Sequence, residues 1–338
     1  MRAVAILVCG CAMAWGADLV ALPVVKVPGA RIQGGAVHGG VLYSWGDRAR
    51  VHSLDNAGVR VLGVETGFGR GGCVVDVDGD GRMDLVLEQQ GEMVWLEAPG
   101  YKKHVIDTGA DFRDCLGAEL LGRRGVLVTH RQMQVRFYEI PVERRGRWPY
   151  REIYSIYTAS AQGGLAVADV NGDGLADILT GNYWMQSPVE YELGWRLFAI
   201  HNWWDGPRSA MVRVALAWRA GAEFPVYVAA ESEGAPARLS WFERPADPKQ
   251  FWTEHPLRLQ PALRRPQGLA AMDSREFVTG EDAGAGSRMV LWERAGSGYE
   301  GRTVGVSSGY KAVAIDGRGG LVGLGANFVA MWRNQRRR

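Results

Sequence analysis

The sequence predicts an all-β fold, a seven-bladed β-propeller of four-stranded blades whose ring is closed by an N-terminal strand. Two patterns support this prediction: an aromatic motif repeated along the whole chain, and short apolar runs with no sustained period of 3.6 residues. Glycine adds a third observation. It accounts for 46 of 338 residues, about twice its usual share, which indicates many tight turns.

The repeated motif is an aromatic residue, any residue, Glu or Gln, any residue, and Pro. It occurs four times, and two degenerate copies follow. The aromatic positions are separated by 42, 47, 57, 51 and 40 residues, a spacing typical of propeller blades. These positions are Trp95, Phe137, Trp184, Trp241, Trp292 and Trp332.

Other segments recur around each aromatic anchor. Each unit begins with an apolar run of small residues, and a second apolar run comes next. The aromatic motif follows, and a further strand-like segment comes after its Pro. Each unit therefore contains four short strands. A degenerate unit from about Gly35 brings the number of units to seven, with six or eight blades as alternatives. Arranging the units in a ring leaves few exposed sheet edges, which favours a propeller. The other units begin near Gly71, Leu116, Gly163, Ala210, Gly268 and Ala312.

The last unit ends after its third strand, at Trp332. The apolar segment 22–27 precedes the first unit and has no partner there. We therefore expect this segment to supply the missing outer strand and close the ring, which a linear solenoid would not need.

The amino terminus has the features of an export signal. Arg2 precedes an apolar run from Ala3 to Ala14 that is too short to span a bilayer, and the small residues around Trp15 suit signal peptidase. We expect a signal peptide over residues 1–16 and one exported propeller domain, periplasmic or extracellular, over residues 17–338. A lipid anchor on Cys11 and a buried first strand or helix are the alternatives. No later run is long and apolar enough to predict a membrane span.

Export would leave two cysteines, Cys73 and Cys115. The repeat alignment puts them within one position of each other on the inner strands of adjacent blades, so we expect them to lie close together. Exported proteins favour a disulfide between such a pair. Two separate buried thiols are the alternative.

Two nine-residue loops carry oxygen ligands at the positions used by the front of an EF-hand loop. Acidic or amide side chains stand at positions 1, 3, 5 and 9, Gly stands at position 6, and position 7 offers its carbonyl. We expect two Ca²⁺ sites, since Ca²⁺ accepts many oxygen ligands more readily than Mg²⁺; plain Asp-Gly turns are the alternative. The expected ligands are Asp76, Asp78, Asp80, Arg82 and Asp84, and Asp169, Asn171, Asp173, Leu175 and Asp177.

With these loops the chain resembles the FG-GAP or VCBS-repeat β-propellers, a blade type also found in integrin α-subunits. The resemblance extends over nearly the whole chain as a repeat pattern, but only the units beginning at Gly71 and Gly163 carry the full loop. It implies a calcium-stabilised propeller in an adhesive or carbohydrate-associated setting, without one particular activity.

Charge and motifs restrict the function classes. Lys and Arg number 39 and Asp and Glu 37, a net charge of +2, so there is no broad field to attract nucleic acid. Nucleophile-elbow and zinc-protease motifs are absent from the sequence. His104 and His255 recur at the same place of their blades, which favours packing over catalysis.

Polar and aromatic residues in the turns after the second strands, and between blades, should gather at the channel mouth opposite the calcium loops. Such a set suits stacking on a sugar and hydrogen bonding to it. We therefore expect a monomeric, non-catalytic binding or scaffold module for carbohydrate or another extracellular protein. A carbohydrate-active lyase or dehydratase, with His130 or Glu231 as base, is the alternative, and two of the residues, Trp203 and Trp204, are equally suited to blade packing. The candidate ligand residues are His130, Arg131, Asn182, Tyr183, Trp203, Trp204, Glu231 and Glu281.

Overall fold

Short antiparallel strands make up the regular structure of the described residues. The computed structural model describes residues 19–54, 58–131, 134–156, 163–201, 213–217, 226–231, 237–271, 275–316 and 318–335. Within these ranges no helix has the length and apolar character needed to cross a lipid bilayer. The expected signal peptide, residues 1–16, lies outside them.

The described residues form 29 strands. Two belong to the N-terminal segment, β1 (Leu19–Ala21) and β2 (Val25–Lys26). Blades 1 to 3 contain β3 (Ile32–His38), β4 (Val41–Gly46), β5 (Arg48–Ser53), β6 (Val59–Thr66), β7 (Phe68–Val75), β8 (Asp84–Gln89), β9 (Glu92–Glu97), β10 (Lys102–Thr108), β11 (Phe112–Leu120), β12 (Arg123–His130), β13 (Gln134–Glu139) and β14 (Tyr150–Ser155). Blades 4 to 7 contain β15 (Ala166–Ala168), β16 (Asp177–Thr180), β17 (Tyr183–Gln186), β18 (Arg196–Ala199), β19 (Arg213–Ala217), β20 (Val226–Ala230), β21 (Leu239–Glu243), β22 (Thr253–Pro256), β23 (Pro266–Ala271), β24 (Glu276–Glu281), β25 (Ser287–Ala295), β26 (Gly298–Ser307), β27 (Ala312–Ile315), β28 (Leu321–Leu324) and β29 (Phe328–Asn334).

The strands form seven sheets arranged in a ring. In the first six sheets four strands pair in chain order, and the seventh sheet has the order β1-β29-β28-β27 with β2 also paired to β29. The first strands of neighbouring blades lie side by side, and β27 contacts β3, which brings the last blade against the first. The prediction of an all-β propeller with seven blades is confirmed.

The hydrophobic core lies between the blades. One cluster combines Val86 and Trp95 of blade 2 with Val128 and Tyr138 of blade 3. The six aromatic anchors of the repeat all stand on third strands, and each is at most 7% exposed. Burying one large ring per blade removes much apolar surface from water at every interface between neighbouring sheets.

The inner strands need glycine because neighbouring blades approach closely there. A Cβ atom on Gly268 would lie 2.6 Å from the backbone nitrogen of Val313 in the next blade. No side chain fits at that distance, so the small residues that open the predicted inner strands permit the ring to close.

Two of the histidines pack on the outer strands as the sequence indicates. His104 lies opposite Trp95, and their ring centroids are 4.8 Å apart. His255 lies opposite Trp241 at 3.9 Å with nearly parallel rings. In the first pair, the His104 ring also hydrogen bonds to Glu97 at 2.7 Å, so this histidine belongs to the packing of its blade.

A disulfide joins the inner strands of blades 2 and 3. It links Cys73 on β7 to Cys115 on β11, with a Cα–Cα distance of 5.2 Å. Of the two alternatives that the sequence leaves open, the structure has the bonded one.

The N-terminal segment pairs with the third strand of the last blade. β1 lies antiparallel to the end of β29, with Ala21 opposite Trp332, and β2 pairs with its beginning. The pairing starts three residues earlier than the predicted segment 22–27 and falls into two short strands. Pro23 lies in the gap between them, and proline has no N–H to contribute to a ladder.

If this pairing closes the ring, deleting residues 18–26 should expose the edge of β29 and promote association between chains. Light scattering after size-exclusion chromatography should then show aggregates, and the melting temperature should fall. Removing Arg336–Arg338, which lie outside the described residues, is the control and should change neither. A truncated protein that stays monomeric and melts like the full chain would show that the ring closes in another way.

Candidate functional site

The two acidic loops occupy equivalent turns in blades 2 and 4. Residues 76–84 connect β7 to β8, and residues 169–177 connect β15 to β16. Positions 4 and 6 of both loops have φ between 78° and 83°, a left-handed conformation that strongly favours glycine. The residues at these positions are Gly79, Gly81, Gly172 and Gly174.

Side-chain oxygens fold the first loop inward. The carboxylates at positions 1, 3 and 5 accept hydrogen bonds from backbone N–H groups two to five residues ahead, which turns the chain around a common centre. The bonds run from Gly79 N to Asp76 Oδ1 (2.8 Å), Gly81 N to Asp76 Oδ2 (3.1 Å), Asp80 N to Asp78 Oδ1 (3.1 Å) and Arg82 N to Asp80 Oδ1 (2.8 Å).

The second loop repeats these bonds position by position. At position 3 the amide oxygen of Asn171 accepts the hydrogen bond that a carboxylate accepts in the first loop. Asn171 Nδ2 also donates to Asp173 Oδ2 at 2.8 Å. The equivalent bonds run from Gly172 N to Asp169 Oδ1 (2.7 Å), Gly174 N to Asp169 Oδ2 (2.8 Å), Asp173 N to Asn171 Oδ1 (3.0 Å) and Leu175 N to Asp173 Oδ1 (2.9 Å).

The ninth position of each loop is a buried carboxylate that links the loop to the third strand. Asp84 is 1% exposed and accepts N–H bonds from Val77 in the loop (3.0 Å) and from Ala98 (2.7 Å). Ala98 directly precedes the Pro of the aromatic repeat, so the two sequence motifs meet at this carboxylate. In the second loop the same bonds run to Asp177 from Val170 N (2.9 Å) and Ser187 N (2.7 Å).

Burial shifts the proton affinity of both carboxylates. The pKa of Asp84 is raised to about 6, mainly by burial, with the charge of Asp78 acting in the same direction and the N–H bonds from Ala98 and Val77 acting against it. Burial raises the pKa of Asp177 to about 7, where Asp173 and Asp169 add to the effect. Each loop therefore favours a positive charge, a proton or a cation, at its centre.

The donor set of these loops fits a hard cation. Carboxylate oxygens of Asp76, Asp78 and Asp84 lie within 4.8 Å of one another. An arginine of the following blade steadies each loop from outside: Arg124 Nη2 donates to the carbonyl of Asp76 at 2.7 Å, and Arg244 Nε donates to that of Val170 at 2.6 Å. The ligands that could hold an ion are all oxygens, the type that Ca²⁺ takes.

The inner strands surround a central cavity of about 760 Å³. Its wall includes the polar side chains of Arg70, Arg113, Gln267 and Lys311, with Trp45 beside them. Arg70 Nη1 donates to Gln267 Oε1, a hydrogen bond that joins blade 2 to blade 6. These residues were not among the ligand candidates of the sequence, and none of the described candidates lines this cavity.

Glu281 of the predicted ligand set is engaged within its own blade. It is fully buried and accepts bonds from Arg288 Nη2 (2.7 Å), Arg288 N (2.8 Å) and Arg264 N (2.8 Å). Burial would raise the pKa of Glu281, but its bonds with Arg288 outweigh this and hold the pKa below its usual value. The carboxylate is thus a structural anion between a loop and a strand.

The remaining candidates are distributed over several blades. His130 and Arg131 lie at the rim between blades 2 and 3, in a smaller pocket. Asn182 and Glu231 are buried, and Tyr183 is half-buried at the start of β17. Trp203 and Trp204 lie outside the described residues.

Comparison with known proteins agrees with the repeat and the fold. The FG-GAP repeat model matches residues 162–185, which contain the second acidic loop and its aromatic anchor. The chain fits the FG-GAP propeller family. A comparison with curated proteins finds no matching sequence.

Two solved structures illustrate how widely the propeller ring is shared. A streptogramin B lyase is 9% identical, with 94% of this chain and 97% of that chain covered and a TM-score of 0.61. The WD40 β-propeller domain of Doa1 is 10% identical, with 94% and 98% covered and a TM-score of 0.60. At such identities the similarity of this chain to both proteins shows the fold alone.

The raised pKa values predict how pH affects the calcium-free protein. Unfolded Asp titrates near 3.9, so the stability that Asp84 and Asp177 contribute is present below pH 4 and is lost as pH rises through about 6 and 7. Relative to the Asp84→Asn, Asp177→Asn variant, the wild type should therefore become less stable between pH 4 and pH 7.5.

Chemical denaturation in calcium-free buffer measures this difference. The comparison with the variant is necessary because burial lowers the pKa of His52 and His130 to about 4. Below pH 6.5 these two histidines make the protein more stable as pH rises, which opposes the effect of the two aspartates. Parallel stability profiles of wild type and variant would contradict the prediction.

Proposed function

We propose that the protein is an exported, calcium-binding β-propeller that acts as a binding or scaffold module and not as an enzyme. A propeller with an FG-GAP repeat fits a binding or scaffold module. The observation that carries the calcium proposal is that two loops, in equivalent turns of two blades, share one set of oxygen ligands and one pattern of hydrogen bonds.

Calcium is the cation that these loops suit. Acidic groups held close together repel one another, and a divalent ion removes that repulsion. Ca²⁺ takes six to eight oxygens in flexible geometry, whereas Mg²⁺ demands a near-ideal octahedron. The loops offer side-chain oxygens at four positions and a carbonyl at position 7, that of Arg82 in the first loop and Leu175 in the second.

The ion would act on the blades as well as on its loop. The buried Asp84 ties the loop to the end of the third strand, and Arg124 ties the same loop to the next blade. An ion at the centre of the loop would therefore stiffen the junction between blades 2 and 3. This is a structural role that supports binding elsewhere on the propeller.

Export is supported by two features. The N-terminal sequence has the arrangement of a signal peptide, and the protein has a disulfide between Cys73 and Cys115. Disulfides persist in oxidising compartments such as the periplasm and the extracellular space. Calcium is also abundant enough outside cells for sites of modest affinity, Kd about 10⁻⁴ to 10⁻³ M.

The central cavity is the place where we propose that carbohydrate, or a segment of an extracellular protein, binds. Its volume of about 760 Å³ is in the range of small-molecule sites. Arg70, Arg113 and Gln267 offer hydrogen-bonding groups suited to sugar hydroxyls, and Trp45 lies in the same wall. The fold shared with a lyase carries no activity over to this chain.

Calcium should raise the stability of the wild type. A tenfold excess of free ion over Kd contributes about 1.4 kcal/mol per site, so chelation should lower the melting temperature measured by calorimetry. Asp80→Asn and Asp173→Asn should each reduce the response, because Asn keeps the turn-forming oxygen and removes the charge.

Asp247→Asn is the matched control for these variants. Asp247 is exposed and accepts the N–H of the residue two places ahead, Lys249, at 3.1 Å, as Asp80 does from Arg82, but it lies in no acidic loop. This variant should respond to calcium like the wild type. The calcium proposal fails if chelation leaves the melting temperature of the wild type unchanged.

A glycan array together with a lyase assay on the purified mature chain tests the proposed role. Binding without turnover is the expected result, and Arg70→Gln and Arg113→Gln should weaken it. Turnover of a bound glycan would contradict the non-catalytic role and favour the lyase or dehydratase alternative.

A further inference from the structure

A second, smaller pocket lies at the rim of the propeller between blades 2 and 3. Its volume is about 390 Å³. The end of β10, the turn after β12 and the starts of β13 and β14 enclose it, so it is separate from both acidic loops and from the central cavity. Its charged and aromatic lining comprises Asp107, His130, Arg131, Arg136, Arg147 and Tyr150.

Positive charge dominates this rim pocket. Three guanidinium groups face one carboxylate, that of Asp107, and both oxygens of this carboxylate are engaged. Oδ1 accepts from Arg147 Nη2 at 2.7 Å, and Oδ2 accepts from the Tyr138 hydroxyl at 2.8 Å. The lining therefore carries a net charge of about +2 with histidine neutral.

The other two arginines have no carboxylate partner in the described part of the chain. Arg136 Nη2 bonds to the neutral amide of Gln134 at 2.7 Å, and its guanidinium lies 4.6 Å from the centre of the Tyr150 ring. Arg136 Nε is buried and has no hydrogen-bond acceptor among the described residues. Buried donors are nearly always bonded in folded proteins, so this atom is available to an acceptor from outside the chain, a ligand or a water molecule.

The side chain of His130 lies in the same positively charged surroundings. It is 3% exposed, and its Nδ1 accepts the N–H of Asp111 at 3.4 Å. Burial and then the charges of Arg136 and Arg131 lower its pKa to about 4. The imidazole is therefore neutral at physiological pH and leaves the two arginines as the available cations of the pocket.

We propose that the rim pocket binds a doubly charged oxyanion, sulfate or phosphate, free or carried by a ligand of about one sugar residue. Guanidinium groups present two N–H donors in the geometry that such oxyanions accept, and charge-assisted bonds of this kind are strong. The net charge of the pocket matches the charge of the anion. This site does not depend on the calcium loops or on the proposed module function.

Calorimetric titration of the full chain with sodium sulfate and with sodium phosphate, against sodium chloride at equal ionic strength, tests the proposal. Both oxyanions should bind at one site. Phosphate should bind more tightly as pH rises through its second pKa, where it gains its second negative charge, whereas sulfate should not change. Arg131→Gln and Arg136→Gln should each weaken sulfate binding by about tenfold.

Arg258→Gln is the control, because Arg258 is an exposed arginine in the loop after β22 and far along the ring. Its sulfate affinity should equal that of the wild type. Arg131→Gln removes an exposed side chain that makes no hydrogen bond to the described residues, so this variant should fold normally, as melting temperature and circular dichroism can verify. Sulfate and phosphate that bind no better than chloride, or affinities that all three variants reduce equally, would overturn the proposal.

Discussion

The buried carboxylate at the ninth loop position is the contact on which both the blade and the candidate site depend. Asp84 holds the N–H of Val77 in its own loop and that of Ala98 at the end of the third strand. A buried anion is costly unless it is hydrogen bonded and its charge is balanced. The fold supplies the bonds, and the loop supplies a centre where a cation can balance the charge. If the loop binds calcium as we propose, folding of the blade and ion binding would be coupled through this residue.

Features that repeat along the chain could be predicted from the sequence. The aromatic anchors indicated third strands, and those rings are buried between blades as expected. The N-terminal strand was placed within a few residues, but its register depends on its partner β29 and on the interruption at Pro23. Neither the partner register nor the break is visible in an apolar pattern alone.

The surroundings of the candidate ligand residues could not be predicted, because a position on a turn does not reveal the long-range partner of the side chain. Glu281 is bound by Arg288 and the backbone of Arg264, and His130 faces arginines of the rim pocket. The positions of the polar residues of the central cavity could have been predicted from the sequence. Arg70 and Gln267 stand directly before the glycines that open the predicted inner strands, where side chains point into the ring.

A single titration tests most directly whether the chain binds calcium in two loops of equal design. Isothermal titration of the calcium-free protein should give two ions per chain. It should give one for either Asp80→Asn or Asp173→Asn, and none for the double variant in the same concentration range. Absence of binding to the wild type, or a stoichiometry that the double variant leaves unchanged, would contradict the account.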